Sequence, residues 1–257
     1  MFLRNLFGIC ALSFVFFSAG PAAWCEGDDV SPERLFSRGN DYYEQGQYDS
    51  AVEAYEKMAD KGYESGPLYY NLAGAYFKSG RIGKAVRNYE LAARFMPRDA
   101  DLEVNYRFAR QLITGRLPDE DGIWARLRLK EYACYFTLNE LTLITSGVYV
   151  LLLIALLLAA VFYSLRRVLI ITACALFLAG GLNLAIIARK INEIKTCAVI
   201  VAPSTEALFG PFDTATRFFT LYEGMKVNVV NAKDDWYKIR RQDGKVGWIK
   251  SSDADRI

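Results

Sequence analysis

Two long runs of residues without a formal charge constrain this chain most. One covers residues 141–165 and the other covers residues 168–188. At about 1.5 Å per residue, each forms a helix long enough to cross about 30 Å of hydrocarbon. Only Arg166 and Arg167 separate the two runs. The pattern therefore predicts a tight transmembrane hairpin over residues 139–190, whose two ends emerge on the same side of the membrane.

The residue types that the chain lacks exclude several functions. It has no histidine, which excludes Ser-His-Asp and Cys-His nucleophile pairs and His-ligated zinc. Its five cysteines form no C-x-x-C motif, and the chain has no glycine-rich phosphate-binding motif. A net charge of +2 is too small for a nucleic-acid surface. We therefore expect a protein that is not an enzyme and that holds no cofactor or metal.

The N-terminus predicts export. Arg4 precedes an apolar run over residues 6–19, and small residues follow at Ala22 and Ala23. A basic start, a short apolar stretch and a small-residue end are typical of a secretory signal peptide, which we place at residues 1–23. The residues leave open whether it is cleaved. The chain after it is expected outside the cytoplasm.

Residues 33–113 contain an internal repeat with a period of 34 residues. Five positions of the first copy recur in the second as the same residue or as Gly/Ala: Gly39, Tyr42, Gly46, Ala51 and Tyr55 match Ala73, Tyr76, Gly80, Ala85 and Tyr89. Each copy predicts two amphipathic helices, with small residues where the helices approach each other. The pattern resembles the tetratricopeptide (TPR) repeat. A third, partial copy over residues 101–113 is predicted to be a capping helix.

The TPR resemblance implies a superhelix whose concave groove binds extended peptides or helices. Amides would hold the ligand backbone and aromatic rings would hold its side chains. The candidate partner-binding residues in this groove are Phe36, Asn40, Tyr43, Tyr70, Asn71, Phe77 and Asn105. The alternative is that the aromatic residues only fill the space between helices.

Residues 114–138 are predicted to be a linker followed by a helix, which either lies along the headgroup surface or is a plain juxtamembrane helix. Positive charges lie both at the turn of the hairpin and at its open end. The rule that positive charges face the cytoplasm therefore gives no single orientation for the hairpin. The export signal favours a cytoplasmic turn at Arg166 and Arg167. Cys134 and Cys197 would then share the oxidising side, where a disulfide would close the mouth of the hairpin. The sequence leaves that pairing open.

Residues 196–257 predict a small β-barrel. Residues 236–241 and 245–249 contain alternating apolar residues and flank a turn at Asp243 and Gly244, a pattern that predicts a β-hairpin. Together with the ending Asp-Gly-x-x-Gly-Trp-Ile, this resembles a bacterial SH3-like (SH3b) domain, with an insertion at residues 204–219 in place of a short loop. The candidate binding residues are Tyr222, Trp236 and Trp248. The alternative is that both tryptophans belong to the core.

The fold class expected from these parts is a multidomain membrane protein with an α-helical TPR superhelix, a two-helix transmembrane hairpin and a small all-β SH3-like barrel. This order resembles the BatE family of the bacterial aerotolerance operon. The resemblance implies a non-enzymatic scaffold in the bacterial inner membrane, with both soluble domains on the extracytoplasmic side. Its partners would be envelope or membrane proteins, such as von Willebrand A-type membrane proteins in a BatA/BatB/BatD-type stress-tolerance complex. The alternative is a protein that binds or senses peptidoglycan peptides of the cell wall.

Overall fold

Five helices, arranged as two pairs and a cap, open the described part of the chain. The computed structural model describes residues 31–114 and 129–257, and Pro32–Ile257 form one unit. The expected signal peptide and most of the expected linker lie outside the described residues. The helices are α1 (Pro32–Glu44), α2 (Tyr48–Asp60), α3 (Gly66–Lys78), α4 (Ile82–Phe95) and α5 (Ala100–Gln111). Gly46 and Gly80 end the first helix of each pair with φ angles of +74° and +79°, which favour glycine.

Small residues allow the helices of each pair to approach closely. Ala51, Ala73 and Ala85 are fully buried. At Gly39 an added Cβ would lie 2.4 Å from a ring carbon of Tyr55, so the tyrosine ring occupies the space that a larger residue would need. The small residues of the repeat therefore have the packing role that the sequence predicts.

The hairpin consists of α7 (Leu138–Val161) and α8 (Arg166–Thr196), preceded by the short helix α6 (Leu129–Tyr135). The two long helices pack against each other, and Ala155, Ala159 and Ala173 are buried. The connection differs from the one expected, because a 3₁₀ turn at Tyr163–Leu165 joins the helices. Arg166 and Arg167 belong to the first turn of α8 instead.

The barrel starts directly where α8 ends, with no linker between Thr196 and strand β1. Its strands are β1 (Cys197–Ile200), β2 (Ser204–Leu208), β3 (Arg217–Tyr222), β4 (Lys226–Lys233), β5 (Trp236–Arg240), β6 (Val246–Lys250) and β7 (Ala254–Arg256). They form one sheet in the order β3-β2-β6-β5-β4-β1-β7, with antiparallel neighbours. Residues 204–219, expected to be an insertion, contain β2 and the start of β3. In β2, Thr205 and Ala207 are buried while Ser204 and Glu206 are exposed, which is the alternation of a strand with one buried face.

The helical module packs against the barrel. Helix α4 contacts β1 and β7, and Val199 of β1 is buried within the core of the helical module. The backbone N–H of Gly83 donates a hydrogen bond to Oε1 of Glu223 at 2.7 Å. A Cβ at Gly83 would lie 2.4 Å from the carbonyl oxygen of Ile200. The first turn of α4 is therefore in close contact with the barrel backbone.

An ion pair also joins the two modules. Nζ of Lys226 lies 2.8 Å from Oε1 of Glu90, and the side chains are only 24% and 20% exposed. Tyr106 donates a second hydrogen bond to the same carboxylate. Burial lowers the pKa of Lys226, but the nearby Glu90 outweighs burial and raises it overall. A raised folded-state pKa means that the ion pair stabilises the fold below the unfolded lysine pKa and is lost only as pH rises through the folded value.

The helical module also reaches the start of the hairpin. A guanidinium nitrogen of Arg98 lies 2.5 Å from Oε1 of Glu140, and the Arg98 guanidinium lies over the ring of Tyr135 at 5.3 Å. Glu140 forms a capping box with Thr137 in the first turn of α7. On the other helix, Nζ of Lys190 donates to two carbonyl oxygens at the end of α6. Both soluble modules therefore lie at the same end of the hairpin.

Removing one partner of the Lys226–Glu90 pair should destabilise the folded unit. We expect Lys226→Met to cost about 3 kcal/mol, because it leaves the Glu90 carboxylate partly buried without its cation. The double variant with Glu90→Gln should lose less than the sum of the two single losses. The measurement is chemical unfolding of the detergent-solubilised full chain, with hydrogen exchange of the β1 and β7 amides. Equal and additive losses would contradict a specific ion pair.

The exposed pair of Arg107 and Glu103 on α5 supplies the control for this prediction. Arg107→Gln should change the free energy of unfolding by less than about 0.5 kcal/mol, since exposed ion pairs on one helix contribute little.

Candidate functional site

The groove is formed by the first helices of the repeats. Helices α1, α3 and α5 lie side by side. Nδ2 of Asn71 donates to Oδ1 of Asn40 at 3.0 Å, and Nδ2 of Asn105 donates to the hydroxyl of Tyr70 at 2.6 Å. The structure therefore brings four of the predicted groove residues into two hydrogen-bonded contacts that link neighbouring helices.

These amides keep free hydrogen-bonding capacity. Tyr55 also donates to Oδ1 of Asn40, at 2.6 Å, so that oxygen accepts two hydrogen bonds. Among the described residues, no partner occupies the N–H groups of Asn40 or the carbonyl oxygen of Asn71. An amide has two donors and one acceptor group, and this pair can therefore offer both to a peptide backbone. The bonds already made fix the orientation in which they are offered.

Aromatic rings surround the amides. The Tyr43 ring lies over Gly74, where an added Cβ would be 3.5 Å from the Tyr43 hydroxyl. Burial raises the pKa of Tyr43, so the phenol stays a neutral hydrogen-bond donor. The rings of Phe77 and Phe108 are 5.7 Å apart. All the predicted groove aromatics are half-buried against the helical core, so they contribute to packing while part of each ring stays accessible.

Sequence reasoning missed Phe108. Phe108 is 54% exposed. In the repeat register it matches Gly74, a position without a side chain, which gave no reason to expect an aromatic ring. Phe108 lies three residues after Asn105, so both residues share one face of the helix. This spacing could have predicted that Phe108 faces the groove. The ring centre of Phe36, a predicted groove residue, lies 5.9 Å from that of Tyr55 in the first helix pair.

Trp236 and Trp248 form a second candidate surface on β5 and β6. Both are half-buried, and neither belongs to the barrel core, so their interpretation as core residues is wrong. The core is filled by aliphatic residues such as Leu221. Nζ of Lys238 lies 5.8 Å from the Trp248 ring centre, and Nζ of Lys250 lies equally far from that of Trp236. This surface alternates aromatic and cationic side chains.

Tyr222 lies apart from the two tryptophans. It pairs with Ser204 at one end of the β2–β3 ladder, while Leu208 at the other end pairs with Trp248. The residues that follow Tyr222 enter the contact with α4, as Glu223 shows. Three exposed rings in and beside the β2–β3 loop were also missed by sequence reasoning: Phe209, Phe212 and Phe218.

Cys134 and Cys197, at the open end of the hairpin, are not joined by a disulfide in the structure. Cys134 is exposed, and Cys197 is buried where α8 passes into β1. Burial raises the pKa of the Cys197 thiol to about 11, which disfavours the thiolate needed for disulfide exchange. The disulfide that the sequence left open is not part of this structure.

Comparisons with known families agree with the two soluble folds. Residues 42–103 match the tetratricopeptide repeat family, and residues 210–254 match the bacterial SH3 domain family. A comparison with curated proteins finds no match. Leu138–Val161 and Tyr163–Thr196 are long and apolar enough to cross a membrane. The chain therefore carries a tetratricopeptide repeat domain and a bacterial SH3 domain, both families of binding modules, with two membrane-length apolar helices between them.

Proposed function

We propose that this chain is a non-enzymatic, membrane-anchored scaffold that holds envelope protein partners in its TPR groove. The observation that carries the proposal is the amide contact between Asn40 and Asn71, which is fixed by the fold and still offers donors and an acceptor. Tyr43, Phe77 and Phe108 flank it with partly open rings. This combination fits an extended peptide, whose backbone bonds to amides while its side chains enter aromatic pockets.

The fixed arrangement of the modules supports a scaffold. Because α4 is bonded to the barrel through Lys226 and Glu90, the groove and the tryptophan surface keep one geometry. Groups held in place before binding lose less conformational entropy when a ligand arrives. A partner that contacts both surfaces gains from this arrangement without the flexibility of a linker.

The proposed partners are membrane proteins of the bacterial envelope. The resemblance to the BatE family points to von Willebrand A-type membrane proteins in a stress-tolerance complex. The bacterial SH3 domain supports an extracytoplasmic position for the barrel. Because both ends of a hairpin emerge on one side of a membrane, the helical module would lie on that side too. The proposed location is the inner membrane, with the turn at Tyr163–Leu165 in the cytoplasm.

Photo-crosslinking in cells tests the groove. A photoreactive phenylalanine analogue at position 77 or 108 should form a discrete adduct with a membrane protein, because both rings are accessible in the groove. Asn71→Ala in the same chain should reduce the adduct by about fivefold or more, since one hydrogen-bonding amide to a peptide backbone contributes about 1 kcal/mol or more. The readout is mass spectrometry of the adduct. The analogue at Glu53, an exposed position on α2, is the control and should give none.

Cysteine labelling in intact cells tests the topology. In a cysteine-free background, Glu53→Cys and Lys245→Cys place single thiols on exposed positions of the two modules. We expect a membrane-impermeant maleimide to label both before lysis. Protection of both until lysis would place the modules in the cytoplasm and reject envelope partners. Labelling of only one would contradict the hairpin itself.

The tryptophan surface supports peptidoglycan peptides as a second candidate ligand. Trp236 and Trp248 lie outside the barrel core beside Lys238 and Lys250, which suits a ligand with carboxylates. If the chain binds the cell wall, the full chain in detergent should co-sediment with purified sacculi, and Trp248→Ala should reduce the bound fraction at least about threefold. Phe108→Ala, which changes the groove only, is the control. No sedimentation above a detergent blank would reject this candidate.

A further inference from the structure

A polar cleft lies between the outer side of the helical module and the end of the barrel. Its volume is about 450 Å³, which is within the range of small-molecule sites. Tyr69, Leu72 and Tyr76 line it from α3, and Arg256 and Ile257 line it from the end of β7. The tyrosines and leucine occupy a different face of α3 from the groove residues, so the cleft is separate from the groove.

Opposite charges face each other across this cleft. Asp60 and Glu64 lie on the wall formed by α2 and the loop that follows it. Arg87 and Arg94 lie on the wall formed by α4, next to Arg256 of β7. In the described part of the chain, no ion pair within 4 Å joins the two walls. The walls are therefore complementary in charge without a direct ion pair between them.

Arg94 is a half-buried cation that lacks a bonded partner. Within residues 31–114 and 129–257, its guanidinium makes neither a hydrogen bond nor an ion pair. Burial lowers the pKa of Arg94, and Glu90 raises it only in part. Glu90 already binds Lys226 and Tyr106. A cation partly removed from water is stabilised when an anion pairs with it, so Arg94 favours an anionic group in the cleft.

Asn88 supplies a second unmet group in the same cleft. Its side chain is only 2% exposed, and its Nδ2 donates to the carbonyl oxygen of Lys84 at 2.9 Å. Its Oδ1 is the one buried side-chain oxygen or nitrogen in the described residues that has no hydrogen-bond partner. Buried acceptors are normally satisfied, so this oxygen is a position that a hydrogen-bond donor in the cleft would stabilise.

We infer that the cleft binds a small zwitterionic ligand, an amino acid or short peptide with a free ammonium and a free carboxylate. The carboxylate would bind Arg94 and Arg87, while the ammonium would lie toward Asp60 and Glu64. A ligand N–H would reach Oδ1 of Asn88. This site goes beyond the proposed scaffold function, since it uses neither the groove nor the tryptophan surface. A ligand bound there contacts both modules and therefore tightens their docking.

Calorimetric titration of the detergent-solubilised full chain tests the site, with alanyl-alanine as the probe. We expect saturable binding of the zwitterionic dipeptide. N-acetylation, which removes the ammonium, and C-terminal amidation, which removes the carboxylate, should each weaken binding by about tenfold or more, because charge-assisted hydrogen bonds are lost. Alanyl-alanine should also raise the unfolding temperature of the chain.

Three variants locate the binding. Arg94→Gln and Asp60→Asn should each weaken binding about tenfold, one on each wall. Arg107→Gln, an Arg-to-Gln change on α5 outside the cleft, should bind as the unmodified chain does. Asp60 is exposed, so its variant folds even if the Arg94 variant does not. Absence of saturable binding, or equal binding of the capped and free dipeptides, would overturn the inference. Both results leave the crosslinking test of the groove unaffected.

Discussion

The contact between α4 and the barrel determines how the rest of this molecule is arranged. Val199 of β1 lies in the core of the helical module, and the Lys226–Glu90 ion pair joins the two modules. Apolar burial supplies the attraction, while the ion pair, once partly removed from water, requires one relative position of its partners. The helical module and the barrel thereby form one unit with several surfaces.

On those surfaces, the residues proposed to bind partners also make contacts within the fold. Asn40 and Asn71 bond to each other before any partner arrives, and the groove tyrosines pack against the helical core. In the barrel, Lys238 and Lys250 hold positions over the tryptophan rings. Such internal contacts fix rotamers in advance, which favours selective binding with modest contact area.

The sequence predicted the features that depend on local patterns. The 34-residue repeat, the uncharged runs and the turn at Asp243 and Gly244 each reflect a periodicity within a short window, and the structure contains the matching elements. Strand β2 was also visible in principle, because Thr205 and Ala207 alternate with polar residues. The strand was not predicted because residues 204–219 were interpreted as an insertion in place of a short loop.

The features that the sequence could not predict depend on contacts between distant residues. Nothing near Gly83 indicates that the backbone of Ile200 will lie against it. Likewise, nothing in the local sequence indicates that Arg94, Asn88 and Asp60 line one cleft, because the stacking of α2, α3 and α4 and the end of β7 bring its walls together. The position of Phe108 in the groove follows from the superhelical stacking of α5 on α3.

The uninterrupted passage from α8 into β1 gives the molecule a mechanical property. The 31 residues of α8 form a rod of about 46 Å, and no hinge separates this rod from the barrel. Membrane helices adjust their tilt to the thickness of the bilayer. A change of tilt in α8 therefore turns the barrel and, through α4, the groove by the same angle. With the proposed membrane anchor, bilayer thickness would thus set the direction in which both surfaces face a neighbouring protein.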